Sequence, residues 1–271
     1  MNGIHLHMSF PKVVYFMWLQ GIESAPQLIK DCLETWRVQN PGWEIIVLTQ
    51  YNLGDHVKLD FLDNPAMTPQ ALSDIVRLRL LSTKGGVWAD STLCCSRPLD
   101  TYIIDITSDF WMYHGRDQGR GPCSWFMLAK PGSYIAQRWC EVSDNFWSKY
   151  PSYFEYFWMD RLFANLCLHE PQFLKEWKKV APWMWADAPY SAHHFYMYNL
   201  YGRIDYVKHE VEKIIKTPPC VVKLNKVIRY PGNQNVEALI NACRIKKDDD
   251  AYPPLEYGLP PPFENANFFD A

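Results

Sequence analysis

Apolar residues change their rhythm along this chain, and the changes mark out elements before any motif is read. Residues 12–19 (Lys-Val-Val-Tyr-Phe-Met-Trp-Leu) form a nearly unbroken apolar run, as expected of a strand buried in a parallel sheet. Leu28, Ile29, Cys32, Leu33 and Trp36 then recur at helical spacing, predicting a helix over 26–39 that Asn40-Pro41-Gly42 breaks. Residues 43–49 read as a second strand. Strand, helix, strand in that order implies a parallel pair joined by a right-handed crossover. Residues 50–68 are mixed and predict a loop with a short helix.

The most informative stretch is 68–98. Thr68 can cap a helix, and Pro69 fits a first turn, where a missing amide donor costs nothing. Leu72, Ile75, Val76, Leu78, Leu80 and Leu81 spread over more than one stripe, so this helix is largely buried. Asp74 and Arg77, spaced i, i+3, project from one side of it. Gly85-Gly86 ends the helix, because glycine takes the left-handed conformation without a Cβ penalty. Val87-Trp88-Ala89 is a short apolar strand that delivers Asp90 at its C-terminal end, where α/β proteins meet their ligands. Asp90, Ser91 and Thr92 carry oxygen donors of the kind hard divalent cations take.

Further on, residues 109–114 and 124–129 predict two more strands around a polar loop at 116–122, and 132–150 a helix with Ile135, Trp139, Val142 and Phe146 on one side. Residues 153–168 read as a strongly apolar helix carrying Asp160 and Arg161. A carboxylate in such a stretch is costly unless paired or used, so Asp160 either forms a rim pair with Arg161 or serves a site. Trp183 to Pro189, with His193-His194, is an aromatic-polar loop in which Asp187 is a second carboxylate candidate. Residues 221–226 are short and β-like, 246–250 are a solvated charge run, and 252–269 form a Pro- and aromatic-rich tail without periodicity. No internal repeat is visible.

Composition narrows the function classes. A net charge of −3 argues against a general binder of nucleic acid or anionic membrane. The eight cysteines contain no C-x-x-C pair, which suggests neither a zinc site nor a disulfide framework. With no N-x-Ser/Thr sequon, no signal-like apolar segment at the N-terminus and no long apolar run, the expectation is a cytoplasmic protein with reduced thiols and no integral membrane segment. No Gly-x-Gly-x-x-Gly or phosphate-cradling lysine loop occurs, which removes the main support for a dehydrogenase or NTPase. Aromatics make up 15% of the chain; such rings line carbohydrate sites and also fill cores.

At this point a family resemblance can be stated. Ser73-Asp74-x-x-Arg77 followed by Gly85-Gly86-Val87-Trp88-x-Asp90 resembles the capsular polysaccharide synthesis proteins, relatives of the DxD-type sugar transferases (glycosyltransferase family 32-like). Phe10-Pro11-Lys12 with the apolar run after it, and Ser124-Trp125-Phe126 followed by Lys130-Pro131-Gly132, match as well, so the resemblance covers roughly residues 10–230. It implies a GT-A fold, a Rossmann-like α/β/α sandwich with a mostly parallel central sheet. A nucleotide-sugar half at 10–130 would be followed by a helical acceptor half at 131–245 and the tail at 246–271. The implied activity is sugar transfer from a nucleotide-diphosphate sugar, a UDP-sugar first, to a glycan hydroxyl, with retention. The acceptor would be lipid- or protein-linked, and the chain peripheral to membrane-bound glycan assembly.

The resemblance also assigns roles. Asp90 and Thr92 would orient Mn²⁺ or Mg²⁺ on the diphosphate, with His194 completing the shell; Thr92 stands where the motif has its second acidic residue. Asp74 and Arg77 would hold sugar or ribose hydroxyls, and Lys223 would face the diphosphate. Trp18 and Gln20, at the end of the first strand, are candidates for the base, Trp18 serving alternatively as core. His114, Ser124, Trp125 and Trp185 are candidates for the sugar and acceptor, and Asp160 and Asp187 for the catalytic carboxylate. Two other classes stay open: a non-catalytic sugar-binding protein, and a glycoside hydrolase using Asp160 and Asp187, which would need those groups about 5–10 Å apart.

Overall fold

The computed structural model describes residues 9–58, 67–114, 122–150, 155–180, 192, 207–226, 228–248 and 251–252. The apolar run at 12–19 supplies β1 (Val13–Met17), the first helix is α1 (Gln27–Gln39), and β2 is Glu44–Leu48. A one-turn helix α2 (Leu53–His56) precedes α3 (Pro69–Thr83) and β3 (Gly86–Ala89). Then come β4 (Leu93–Cys95), β5 (Phe110–His114) and β6 (Pro122–Ala129). The helices α4 (Tyr134–Lys149), α5 (Trp158–His169), α6 (Pro171–Trp177) and α7 (Lys208–Lys216) follow, and then β7 (Val221–Lys223) and α8 (Gln234–Cys243).

Five strands form one sheet in the order β2-β1-β3-β6-β5. The expected parallel α/β half is there: β1 pairs in parallel with both β2 and β3. The sheet is mixed but mostly parallel, since β6 alone runs opposite to the others, antiparallel to both β3 and β5. The link between β5 and β6 is only seven residues long, shorter than the crossover a parallel pair needs. A second, two-stranded ribbon pairs β4 with β7 antiparallel, placing Leu93 opposite Lys223.

Packing follows from which faces are apolar. On α1, Ile29, Leu33 and Trp36 enter the sheet's core, whereas Leu28 and Cys32 enter a second core with Cys94, Val222, Ile214 and Leu239. The helix therefore mortises the ribbon, α7 and α8 onto the sheet. The chain makes α3 stop where it does. Thr68 Oγ1 accepts from Ala71 N at the start, and at the end Gly85 and Gly86 take φ of +67° and +101°. A Cβ on Gly86 would stand 2.6 Å from Val13 Cγ1, so this glycine lets β3 lie against β1.

One boundary differs from the periodicity. The apolar run at 153–168 predicts helix throughout, but α5 begins only at Trp158, and Tyr156 and Phe157 are exposed. The aromatic run reflects surface rings ahead of the helix rather than its buried stripe. All eight cysteines are free and buried. No helix among the described residues is long and apolar enough to cross a membrane.

Candidate functional site

Asp90 leaves the sheet at the C-terminal end of β3, with its backbone N–H donating to Trp125 O (2.9 Å). Phe16 pairs with Ala89, so Trp18 and Asp90 emerge just past the ends of neighbouring parallel strands. Four elements aim polar side chains at this spot. Trp88 lies two residues before Asp90, on the same face of the chain, and its Nε1 donates to Asp90 Oδ1 (2.9 Å). From β7, Lys223 Nζ donates to Asp90 Oδ2 (2.9 Å). From α3, Arg77 Nη2 approaches Asp90 Oδ1 (3.2 Å) and Asp74 Oδ1 (3.0 Å). From the start of α5, Asp160 lies within electrostatic range of Asp74 and Arg77.

Arg77 holds this arrangement together. Its Nη1 donates to Ser124 O (2.6 Å) and Ser124 Oγ (3.0 Å), its Nη2 to Ser73 Oγ (3.1 Å), and its Nε to Ser73 O (3.3 Å). Its guanidinium also lies 5.1 Å from the Trp88 ring centroid. A planar fork with five donors can serve that many fixed acceptors at once, which an ammonium cannot. The i, i+3 pair anticipated between Asp74 and Arg77 forms, but Arg77 ties three elements together rather than decorating one helix face.

The titration behaviour divides the carboxylates. Burial alone would raise Asp90, but the Lys223 ammonium and Arg77 guanidinium outweigh it and hold the carboxyl below the usual range. For Asp74, burial and the neighbouring Asp90 charge outweigh Arg77 and push its pKa up to about 6. Asp160 rises to about 7, through burial first and then the charge of Asp74. Near neutral pH the site thus carries two cations against one firmly ionised carboxylate and two that hold protons easily.

The sequence-predicted residues sort as follows. Asp74, Arg77, Asp90, Lys223 and Ser124 converge, and Asp160 stands beside them. The anticipated Asp160–Arg161 rim pair does not form, because Arg161 pairs with Glu155 instead. Thr92 sits in the turn after Asp90, and its carbonyl accepts from Leu224 N (2.9 Å), tying that turn to β7. The indole N–H of Trp18 is buried and has no hydrogen-bond partner among the described residues, a donor left over at the end of β1 beside Asp90. Gln20 is exposed in the turn that follows. The Trp125 ring is buried and stacks on Tyr113 at 5.3 Å, so its contribution to the site is the carbonyl that holds Asp90. His114 closes β5 opposite Pro122. Trp185, Asp187 and His194 lie outside the described residues.

Ser73 and Trp88 stand in the motif but carried no site role in the sequence reading, and Trp158, whose indole lies against Asp74, was not singled out. The i, i+2 spacing of Trp88 and Asp90 was a usable signal. Nothing local marks Trp158.

The described donors suit a divalent cation poorly. Both Asp90 oxygens are engaged by N–H donors, two of them cationic, Thr92 offers a neutral hydroxyl, and among the described residues no three His, Cys, Asp or Glu side chains form a group that could hold a metal ion. Hard dications take several anionic or carbonyl oxygens.

Comparison with known proteins adds three findings. The sequence model of the family described as "Capsular polysaccharide synthesis protein" matches residues 5–241. "Subversion of eukaryotic traffic protein A" of Legionella pneumophila subsp. pneumophila (strain Philadelphia 1) is 22% identical over 155 residues, which is 47% of this chain and 24% of that protein. The chain thus spans about a quarter of that relative's length. Among solved structures, "PaToxG Glycosyltransferase" superposes with a TM-score of 0.44 and 10% identity, covering 87% of each chain.

Proposed function

This chain belongs to the capsular polysaccharide synthesis protein family, and we propose that it is a glycosyltransferase of GT-A type. It moves a sugar from a nucleotide-diphosphate donor, a UDP-sugar first, to a glycan hydroxyl. The observation that carries this reading is the convergence of Asp74, Arg77, Asp90 and Lys223 at the C-terminal end of β3. That is where an α/β sheet receives a nucleotide, and the cluster offers both ligand types such a donor needs. Cations face the diphosphate, and carboxyls face sugar or ribose hydroxyls.

In this reading the unpaired Trp18 indole N–H serves the base end of the donor and Lys223 the diphosphate. Asp74 accepts from donor hydroxyls, oriented by Arg77. Asp160, whose carboxyl titrates near neutrality beside Asp74, serves the sugar end of the donor. Transfer proceeds with retention: the bond from the anomeric carbon to the diphosphate oxygen breaks, and its electron pair stays on the leaving group. The acceptor oxygen bonds to the same carbon face, and its proton passes to the departing diphosphate. Preorganised cations favour that step because they meet charge as it develops.

The test is release of free nucleotide from UDP-, GDP- and dTDP-sugars in the absence of acceptor. Slow hydrolysis of one donor class is expected. Silence across the panel, together with no binding of the three nucleotides, would contradict the reading.

A further inference from the structure

We propose that Lys223 takes the place of a divalent metal in this site: its ammonium, held on Asp90, is the counter-charge for the donor diphosphate, and the donor binds without a metal ion. The inference rests on the glycosyltransferase reading and departs from the metal-bridged site that the DxD resemblance implies.

Placement is the first argument. Lys223 is the last residue of β7, and the pairing of β7 with β4 sets it opposite Leu93, three residues past Asp90. Its side chain is only 10% exposed, yet its ammonium is turned to the ligand end of β3, 2.9 Å from Asp90 Oδ2. A lysine that merely solubilised the surface would extend into water. Among the described residues, Asp90 is the acceptor Lys223 meets, so one of three ammonium donors is spent and the others can serve an anion.

Charge is the second argument. A dication touching Asp90 would have to displace Lys223 and Arg77 or sit against both. A metal site surrounds its ion with negative charge, whereas here Lys223 and Arg77 both lie on Asp90, Asp74 is itself paired with Arg77, and Thr92 is neutral. The same arrangement suits a diphosphate. Arg77 is consumed by Ser73, Asp74, Asp90 and Ser124, so it fixes the site's shape, and among the described residues on Asp90 Lys223 is the cation with donors to give. On cleavage of the bond between the anomeric carbon and the diphosphate oxygen, the electron pair stays on that oxygen. Lys223 meets the added charge by hydrogen bonding, without giving up its proton, while the acceptor's proton moves to the leaving diphosphate.

Calorimetric titration of the full chain with UDP, GDP and dTDP, once with chelator and once with Mn²⁺, tests this. The nucleotide that binds should show a Kd in chelator within about threefold of that in Mn²⁺. Lys223→Met, checked for folding by circular dichroism, should lose about tenfold or more in both buffers. Wild-type affinity that falls by about tenfold or more under chelation would overturn the inference and leave the glycosyltransferase reading standing. Unchanged binding by a folded Lys223→Met would also overturn it. If that variant does not fold, the two wild-type titrations decide the matter alone. Absence of binding by all three nucleotides in both buffers would remove the glycosyltransferase reading and this inference together.

Discussion

Lys223 Nζ and Asp90 Oδ2 lie 2.9 Å apart although 133 residues separate them in the chain. The contact joins the ribbon to the end of the sheet. Removing Asp90 leaves the largely buried Lys223 ammonium without its acceptor, and removing Lys223 leaves Asp90 to Arg77 and Trp88 alone; either change costs more than the pair itself contributes. Denaturant unfolding of Lys223→Met, Asp90→Asn and the double variant should therefore give a coupling of about 1–3 kcal/mol, the double variant losing less than the sum of the two single variants. Additive effects would show that the pair is not formed in solution.

Arg77 should tolerate no cationic replacement. Lysine keeps the charge but cannot reach Ser124 O, Ser73 Oγ, Asp74 and Asp90 together. Arg77→Lys is expected to lower stability by about 2–4 kcal/mol, with a matching drop in Tm by calorimetry. A variant as stable as wild type would mean that the guanidinium is not the tie between α3, β3 and β6.

Asp74 and Asp160 have folded-state pKa values of about 6 and about 7, above the ordinary carboxylate value of 3.8. Between about pH 4 and pH 7 the folded state thus holds protons that the unfolded chain has released, so these two groups make stability fall as pH rises through that window. Asp160→Asn should flatten that slope and raise Tm at pH 8, by roughly 1–3 kcal/mol in stability. Asp90 acts with the opposite sign, since its lowered pKa stabilises the fold above the ordinary carboxylate range and that contribution is lost on acidification. Melts of wild type and Asp160→Asn from pH 4.5 to 8 check this, and parallel curves would contradict it.

Gly86 has φ +101°, and a Cβ there would meet Val13 Cγ1 at 2.6 Å and Val13 O at 2.9 Å. Gly86→Ala should push β3 off β1 and cost about 2–5 kcal/mol, combining backbone strain with overpacking. Because Asp90 is carried on the same short strand, nucleotide affinity should fall with it. Gly42→Ala is the control: nothing lies within 4 Å of a Cβ there, and stability should change little.

What could be read ahead of the structure was local. Thr68, Pro69 and Gly85-Gly86 delimit α3 through backbone chemistry that operates within a few residues, and the apolar run at β1 needs no partner to be recognised. Asp74, Arg77 and Asp90 were legible for the same reason, since one helix and the next strand present them. The direction of β6 and the pairing of β4 with β7 were not. Three-residue strands carry almost no periodicity, and their pairing depends on contacts more than a hundred residues apart. Lys223 could be named as a candidate cation, but only that pairing makes it a buried partner of Asp90. For Asp160 the sequence left a rim ion pair with Arg161 and a site role both open, because adjacency in sequence is visible and the reach of α3 toward α5 is not.

The central claim is that the cluster around Asp90 holds the diphosphate sugar donor, and single-turnover donor hydrolysis tests it most directly. Wild type and Asp90→Asn would be compared with the donor that the nucleotide panel identifies, after both are shown to be folded. Asp90→Asn removes the anion that positions Lys223 and Arg77, so nucleotide release should drop by about a hundredfold or more. Release at the wild-type rate by a folded Asp90→Asn would place the donor elsewhere and contradict the account.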